Sequence, residues 1–127
     1  MTTIDVFISV FAVLSIALFL RRYFLNKNVV HVTATEARRR MSTGKAVFVD
    51  VRTSEERSRS LIQGSIHIPL QRLSDAGTLL ASYRDREIIV YCASGSRSVP
   101  AAAKLTTMGF RTFNLDGGIG AWRRSST

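Results

Sequence analysis

Seventeen consecutive positions, Ile4 to Leu20, read IDVFISVFAVLSIALFL, and only Asp5, Ser9 and Ser15 interrupt the apolar side chains. The run takes the first 25 residues out of any soluble core. It leaves roughly 100, enough for one domain of two or three layers and too few for two. Its apolar residues cover every face of a helix, which excludes an amphipathic helix lying on a surface. Seventeen residues is at the short end of the roughly 17–25 that span a bilayer. Arg21 and Arg22 can snorkel, so that Tyr23, Phe24 and Leu25 extend the span to about 33 Å at 1.5 Å per residue. A cleaved signal peptide would carry positive charge before the run and a small-x-small site after it. This chain has Asp5 before and Arg21-Arg22-Tyr23-Phe24 after, so cleavage is not expected. A buried core helix is the remaining alternative. The basic flank is C-terminal, which predicts a single-pass inner (plasma) membrane protein with its N-terminus outside and its domain in the cytoplasm. The expected division is 1–25 as transmembrane helix and flanks, 26–28 as linker, 29–124 as the domain and 125–127 as tail.

The 127 residues carry a formal net charge of +9. The positive charges are spread along the chain, with short runs beyond the Arg21-Arg22 flank only at Arg38-Arg39-Arg40 and Arg123-Arg124. No nucleic-acid motif or aromatic interleaving accompanies them, so no nucleic-acid partner is expected. An anionic membrane surface or an anionic small substrate accounts for the charge more simply. One cysteine, Cys92, and two histidines exclude an intramolecular disulfide and a Cys-rich zinc site, and no metal or cofactor is expected.

Strand and helix signals alternate beyond the linker. Val29–Val32 is a short β-branched run. Thr33 and Glu36 form the pattern of a capping box that opens a helix ending near Gly44. Ala46–Val51 reads as a buried parallel strand, and Ile66–Leu70 as a short extended piece ended by Pro69. Ser74 is placed to cap a helix through Leu79, Leu80 and Tyr83. Glu87–Tyr91 is the next strand, and a small-residue loop, Cys92–Arg97, leads into a helix that starts at Ser98 with Pro100 in its first turn. Phe110–Leu115 is a last strand, followed by Gly117-Gly118 and a short helix with Ile119 and Trp122. This alternation predicts an α/β domain with a parallel sheet covered on both faces.

The chemistry centres on the strand, Cys92, loop and helix. A cysteine at the carboxyl end of a parallel strand stands where such sheets place ligands. The helix N-terminus ahead of it favours an anion, and a thiolate is one. Those N–H donors and nearby Arg97 should lower the thiol's pKa, while Gly95 frees the backbone to curl round the sulfur. The result would be an activated nucleophile without a histidine base. The plain alternative is a buried structural cysteine. Asp50 and Arg52 read as a structural pair, His67 as a packed strand residue and Trp122 as a core plug. Glu55 and Glu56 cannot share a helix face as a dyad and read as solvated.

Four segments then carry a resemblance: Asp50-Val51-Arg52, Gly64-Ser65-Ile66-His67-Ile68-Pro69-Leu70, Tyr91-Cys92-Ala93-Ser94-Gly95-Ser96-Arg97-Ser98 and Leu115-Asp116-Gly117-Gly118-Ile119-Gly120-Ala121-Trp122. In this order they resemble the single-domain rhodaneses, thiosulfate or persulfide sulfurtransferases, of the kind tethered by an N-terminal membrane helix. The likeness covers roughly residues 29–124. It implies a rhodanese-like parallel five-stranded sheet with helices on both faces, preceded by one transmembrane helix.

The implied reaction has two steps. Cys92 takes the outer sulfur of a sulfane donor such as thiosulfate or a persulfide, and a thiol or cyanide acceptor removes it. Ala93, Ser94, Gly95, Ser96 and Ser98 would cradle the sulfur, Arg97 would meet the incoming anion or brace the loop, and Arg52 would join the substrate-binding set. The lipid bilayer is an implied partner, with a membrane protein as a further candidate. Two positions depart from the family. Its Gly-His before the Ile-x-Gly stretch is Ser60-Leu61 here. The residue after the cysteine, often Arg or Lys in thiosulfate-using members, is Ala93, which implies poor use of free thiosulfate. Two other readings stand beside this one. A Cys-dependent phosphatase or arsenate reductase resembles it in nucleophile and anion nest, but has five residues between Cys and Arg where this chain has four. A non-catalytic, membrane-tethered binding module is the other.

Overall fold

The computed structural model describes residues 1–125, so Ser126 and Thr127 of the expected tail lie outside the described residues. Helix α1 spans Thr3–Lys27 and runs on through Asn26, with Asn28 as its C-cap and no residue buried. It is the one described helix long and apolar enough to cross a membrane. Its C-terminal end lies against a helix of the domain, and a groove of about 380 Å³ between them is lined by Leu18, Arg21, Arg22, Leu25, Asn26, Pro100, Ala103, Lys104 and Thr107.

The domain is a five-stranded sheet in the order β1-β5-β4-β2-β3, every pairing parallel. The strands are β1 (His31–Val32), β2 (Ala46–Asp50), β3 (Ile66–His67), β4 (Glu87–Tyr91) and β5 (Arg111–Leu115). Helices α2 (Ala34–Ser42), α3 (Ser54–Arg59), α4 (Ala76–Leu79), α5 (Ser98–Thr107) and α6 (Gly118–Arg124) connect and follow them. The predicted α/β class, the five parallel strands and the helices on both faces are all present. Strand period two divides the core in two. On one face Val47, Val49, Ile88, Val90 and Cys92 pack with Leu73, Ala76, Ala101, Ala102 and Leu105 of the chain around α4 and α5. On the other, Phe48, Ile89, Tyr91 and Leu115 pack with Ala34, Ala37, Ile62 and Ile119. Trp122 packs against this second cluster, edge-on to Phe48 at 5.0 Å and under the Arg38 guanidinium at 3.6 Å.

Two local expectations are corrected. Ser74 caps no helix. The segment breaks into a 3₁₀ stretch Leu70–Asp75, the single turn α4 and a second 3₁₀ turn Ala81–Tyr83. Leu73, Ala76 and Leu80 hold it to the core, and Gly77 at its centre weakens a continuous helix. At α2 only half of the capping box forms. Thr33 accepts from the Glu36 N–H, while the Glu36 carboxylate turns to Arg39 and Arg40, which hold its pKa down to about 2.

Candidate active site

Strand β4 lies between β2 and β5 and ends in Tyr91, so Cys92 is the first residue beyond the carboxyl end of a central strand. Adjacent residues on a strand face opposite ways, and the two side chains do different work. Tyr91 points into the second core, where its hydroxyl donates to Asp50 at 3.1 Å and accepts from the Ile62 N–H at 3.2 Å. Cys92 points to the α5 face and is fully buried.

The residues after Cys92 curl round its sulfur. Gly95 takes φ +102°, in the region that favours glycine, and its N–H donates to Cys92 Sγ at 3.1 Å. Helix α5 starts at Ser98 with no side-chain cap, leaving the first amide groups of the helix for the sulfur. Ser98 Oγ lies 3.3 Å from Sγ. Burial by itself would push the Cys92 thiol up. The Ser98 hydroxyl and the N–H groups of Ser98, Gly95 and Ser94 outweigh it and lower the pKa from its ordinary value.

The loop amides turn inward because its carbonyls are held outward. The Ile119 N–H donates to the Cys92 carbonyl at 3.0 Å and the Gly120 N–H to the Ala93 carbonyl at 3.3 Å. Gly118, at φ +61°, sits so close that a Cβ there would lie 2.5 Å from the Cys92 oxygen and 2.6 Å from the Ala93 oxygen. The Gly118 turn therefore backs the loop that holds the sulfur, although it lies more than twenty residues from the cysteine.

The expected site residues are brought together with different tasks. Ala93, Ser94 and Ser96 are exposed and Gly95 is half-buried. Ser98 is fully buried, so its contact is with the sulfur. Arg52 is also buried. It bonds both oxygens of Asp50 and the Ser60 carbonyl through Nε and Nη2, and so walls the site with those two nitrogens committed. His67 Nε2 meets the Arg52 carbonyl at 2.8 Å. Arg97 forms two 2.7 Å bonds to the carboxylate of Glu56. That corrects the reading of Glu56 as solvated, because α3 turns the Glu56 side chain toward the loop. Thr53 caps α3 in a full capping box with Glu56, a Thr-x-x-Glu signal present in the sequence. Arg97 and Thr53 together hold the Glu56 pKa at about 2.

Asn114 has no counterpart in the sequence reading. Ser98 Oγ lies 2.5 Å from its Oδ1, so the one hydroxyl proton is shared between that oxygen and the sulfur, and its Nδ2 faces His31 Nδ1 at 3.0 Å. The buried sulfur is thereby linked through Ser98 and Asn114 to the first, edge strand. A cavity of about 350 Å³ opens beside the loop. Its lining is Arg52, Glu56, Arg59, Ser60, Ala93, Ile119, Gly120 and Arg123. Arg59 makes no ion pair with a described residue. Among the described residues no cluster of three or more His, Cys, Asp or Glu side chains could hold a metal.

The cysteine thus stands at a strand end beside N–H donors of Gly95, Ser94 and Ser98, and the family model of the rhodanese-like domain matches residues 33–125. The chain belongs to the rhodanese family. A sulfurtransferase of Allochromatium vinosum is 34% identical over 89 residues, 69% of this chain and 81% of the relative. The thiosulfate sulfurtransferase GlpE of Stutzerimonas stutzeri is 36% identical over 86 residues, 67% of this chain and 77% of that one. Among solved structures, a protein of unknown function from Rhodopseudomonas palustris, described as a possible tyrosine phosphatase, is 27% identical. It superposes with a TM-score of 0.72 over 82% of this chain and 86% of its own.

Proposed function

We propose that this rhodanese-like protein is a membrane-anchored sulfurtransferase that carries sulfane sulfur as a persulfide on Cys92. The observation that carries the reading is the buried Cys92 Sγ accepting the Gly95 N–H at 3.1 Å, with its pKa lowered. The thiolate attacks the outer sulfur of the donor. A Cys92–S bond forms, the donor's S–S bond breaks, and the donor leaves with the electron pair, as sulfite from thiosulfate or as a thiolate from a persulfide. The acceptor, as thiolate or cyanide, then attacks the outer sulfur, and Cys92 leaves as thiolate. The loop amides hold the negative charge at each stage. Four residues between Cys92 and Arg97, and no acidic residue among them, support sulfur transfer over phosphatase chemistry. The test is an intact mass of the full chain in detergent after incubation with a sulfane donor. One added sulfur that disappears with dithiothreitol is expected; an unmodified chain with several donors would overturn the reading.

Arg97 acts through loop order and local charge. Arg97→Ala is expected to slow turnover with the fold intact, and Glu56→Gln to do so more weakly. The ion pair contributes only where Glu56 is charged. Its contribution is complete above about pH 4.5, the carboxyl's ordinary value, and is lost as pH falls toward the folded value of about 2. Unchanged kinetics in Arg97→Ala would remove Arg97 from the assignment.

Free thiosulfate is expected to be a poor donor, with a high KM. It is a dianion, and a cation beside the nucleophile would raise its local concentration and offset repulsion from the thiolate. Ala93 offers neither, and Arg52 and Arg97 are committed to carboxylates. Ala93→Arg should raise thiosulfate kcat/KM by about tenfold, or roughly 1.4 kcal/mol, with the gain shrinking as salt rises. A low wild-type KM, or no gain on substitution, would shift the anion site to Arg59.

For topology, Arg21, Arg22 and Lys27 after the apolar run support a domain on the cytoplasmic side. Cys92 cannot report this, because the folded thiol has no exposed surface, so the reporter is the exposed Lys45 position as Lys45→Cys in a Cys92→Ser chain. A membrane-impermeant maleimide should leave it unlabelled in intact cells and label it after lysis; labelling in intact cells would reverse the orientation.

A further inference from the structure

Two helical stripes face each other across the groove between α1 and α5. On α1 it is Leu18, Arg21, Arg22 and Leu25, and on α5 it is Ala103, Lys104 and Thr107. The α1 residues follow the i, i+3, i+4, i+7 spacing of a single helix face. Ala103 is buried yet stands outside the core cluster of the sheet, unlike Ala101, Ala102 and Leu105. The groove therefore has an apolar floor and a rim of three cations. No aspartate or glutamate lines it, and Arg21, Arg22 and Lys104 make no ion pair with a described residue. Three unneutralised cations facing one cleft repel one another until an anion enters. The cleft also has a definite depth. It begins at Leu18, inside the apolar run, and passes the run's end at Leu20, where hydrocarbon would give way to headgroups.

We infer that this groove binds the headgroup of an anionic phospholipid, its phosphate between Arg21, Arg22 and Lys104 and the start of an acyl chain along Leu18. The inference rests on the reading of α1 as a membrane span. Its consequence is a fixed pose: the lipid ties α5, which supplies Ser98 to the sulfur, to the membrane surface instead of leaving the domain to swing on its helix.

The experiment is hydrogen exchange on the full chain reconstituted into vesicles of phosphatidylcholine alone or with phosphatidylglycerol, insertion being checked by resistance to carbonate extraction. In the anionic vesicles, amides of α5 and of residues 18–27 should exchange about tenfold more slowly than in the neutral ones. Arg22→Gln/Lys104→Gln should abolish the difference. The charge-matched Lys45→Gln/Arg72→Gln, away from the groove, should retain it. Inorganic phosphate added to neutral vesicles should not reproduce the protection. Insertion with equal exchange in both vesicles, or equal loss in both double variants, would overturn the lipid site and leave the span standing. Protection by phosphate alone would replace the lipid with a free oxyanion. Extraction of the chain by carbonate from both vesicles would overturn the span and the lipid site together.

Discussion

Cys92→Ser is expected to leave a folded protein that takes up no sulfur from any donor. The substitution is nearly isosteric, and the site already surrounds the sulfur with Ser98 Oγ at 3.3 Å and the Gly95 N–H at 3.1 Å. A serine hydroxyl satisfies the same donors, so thermal unfolding should change little. Its pKa is far above that of a thiol and the ring of amides cannot bring it into range, so the nucleophile is lost. Intact mass should show no adduct and turnover should fall to background. Residual turnover would mean that sulfur passes without a covalent stage on this residue.

Asp50→Ala is expected to be the most damaging single change to the fold, at about 3–5 kcal/mol. Asp50 is fully buried. It accepts the Arg52 N–H and Nε at one oxygen, and Arg52 Nη2, Arg57 Nη1 and the Tyr91 hydroxyl at the other. Alanine would leave the Arg52 guanidinium buried without its counter-charge and the Tyr91 hydroxyl without its acceptor. A urea midpoint on the full chain in detergent measures the loss. The pH dependence supplies a second reading. Burial alone would raise the Asp50 pKa, and its hydrogen bonds to Arg52 and Arg57 bring it below the ordinary carboxyl value. Stability from this group is therefore complete above about pH 4 and is lost as pH falls further, because the unfolded chain then binds the proton first. Asp50→Ala should flatten that part of the acid profile. A loss of under about 1 kcal/mol, the scale of an exposed pair, would show that the arginines find water or other partners.

The parts of the fold written in short range were legible. Continuous apolar runs gave β2 and β4, and Cys92 at the end of the second gave the site its centre. The 3₁₀ pieces between β3 and β4 were not legible, because three anchoring residues, Leu73, Ala76 and Leu80, fit a single helix period as well as a broken one. Glu56 was misread for a different reason. Its partner Arg97 is 41 residues away, and no spacing rule reaches that far, although the capping pattern from Thr53 marked it as an ordered side chain. Asn114 lies between Phe113 and Leu115 on β5, and nothing in the sequence distinguishes a buried amide there from an edge residue. Gly118 was read as part of a motif, but its reason, contact with the carbonyls on either side of the loop's first peptide, needs the tertiary fold.

The complete burial of Cys92 also governs how the protein ages in oxidising conditions. A disulfide needs two Cα atoms within roughly 4.4–6.8 Å. The 127 residues hold no second cysteine, and the strand end and loop deny a second folded copy that approach. Oxidation should therefore not yield covalent dimers while the domain is folded. Dimers that appear on a non-reducing gel would report the unfolded fraction, which turns a storage artefact into a measure of how often the sheet opens.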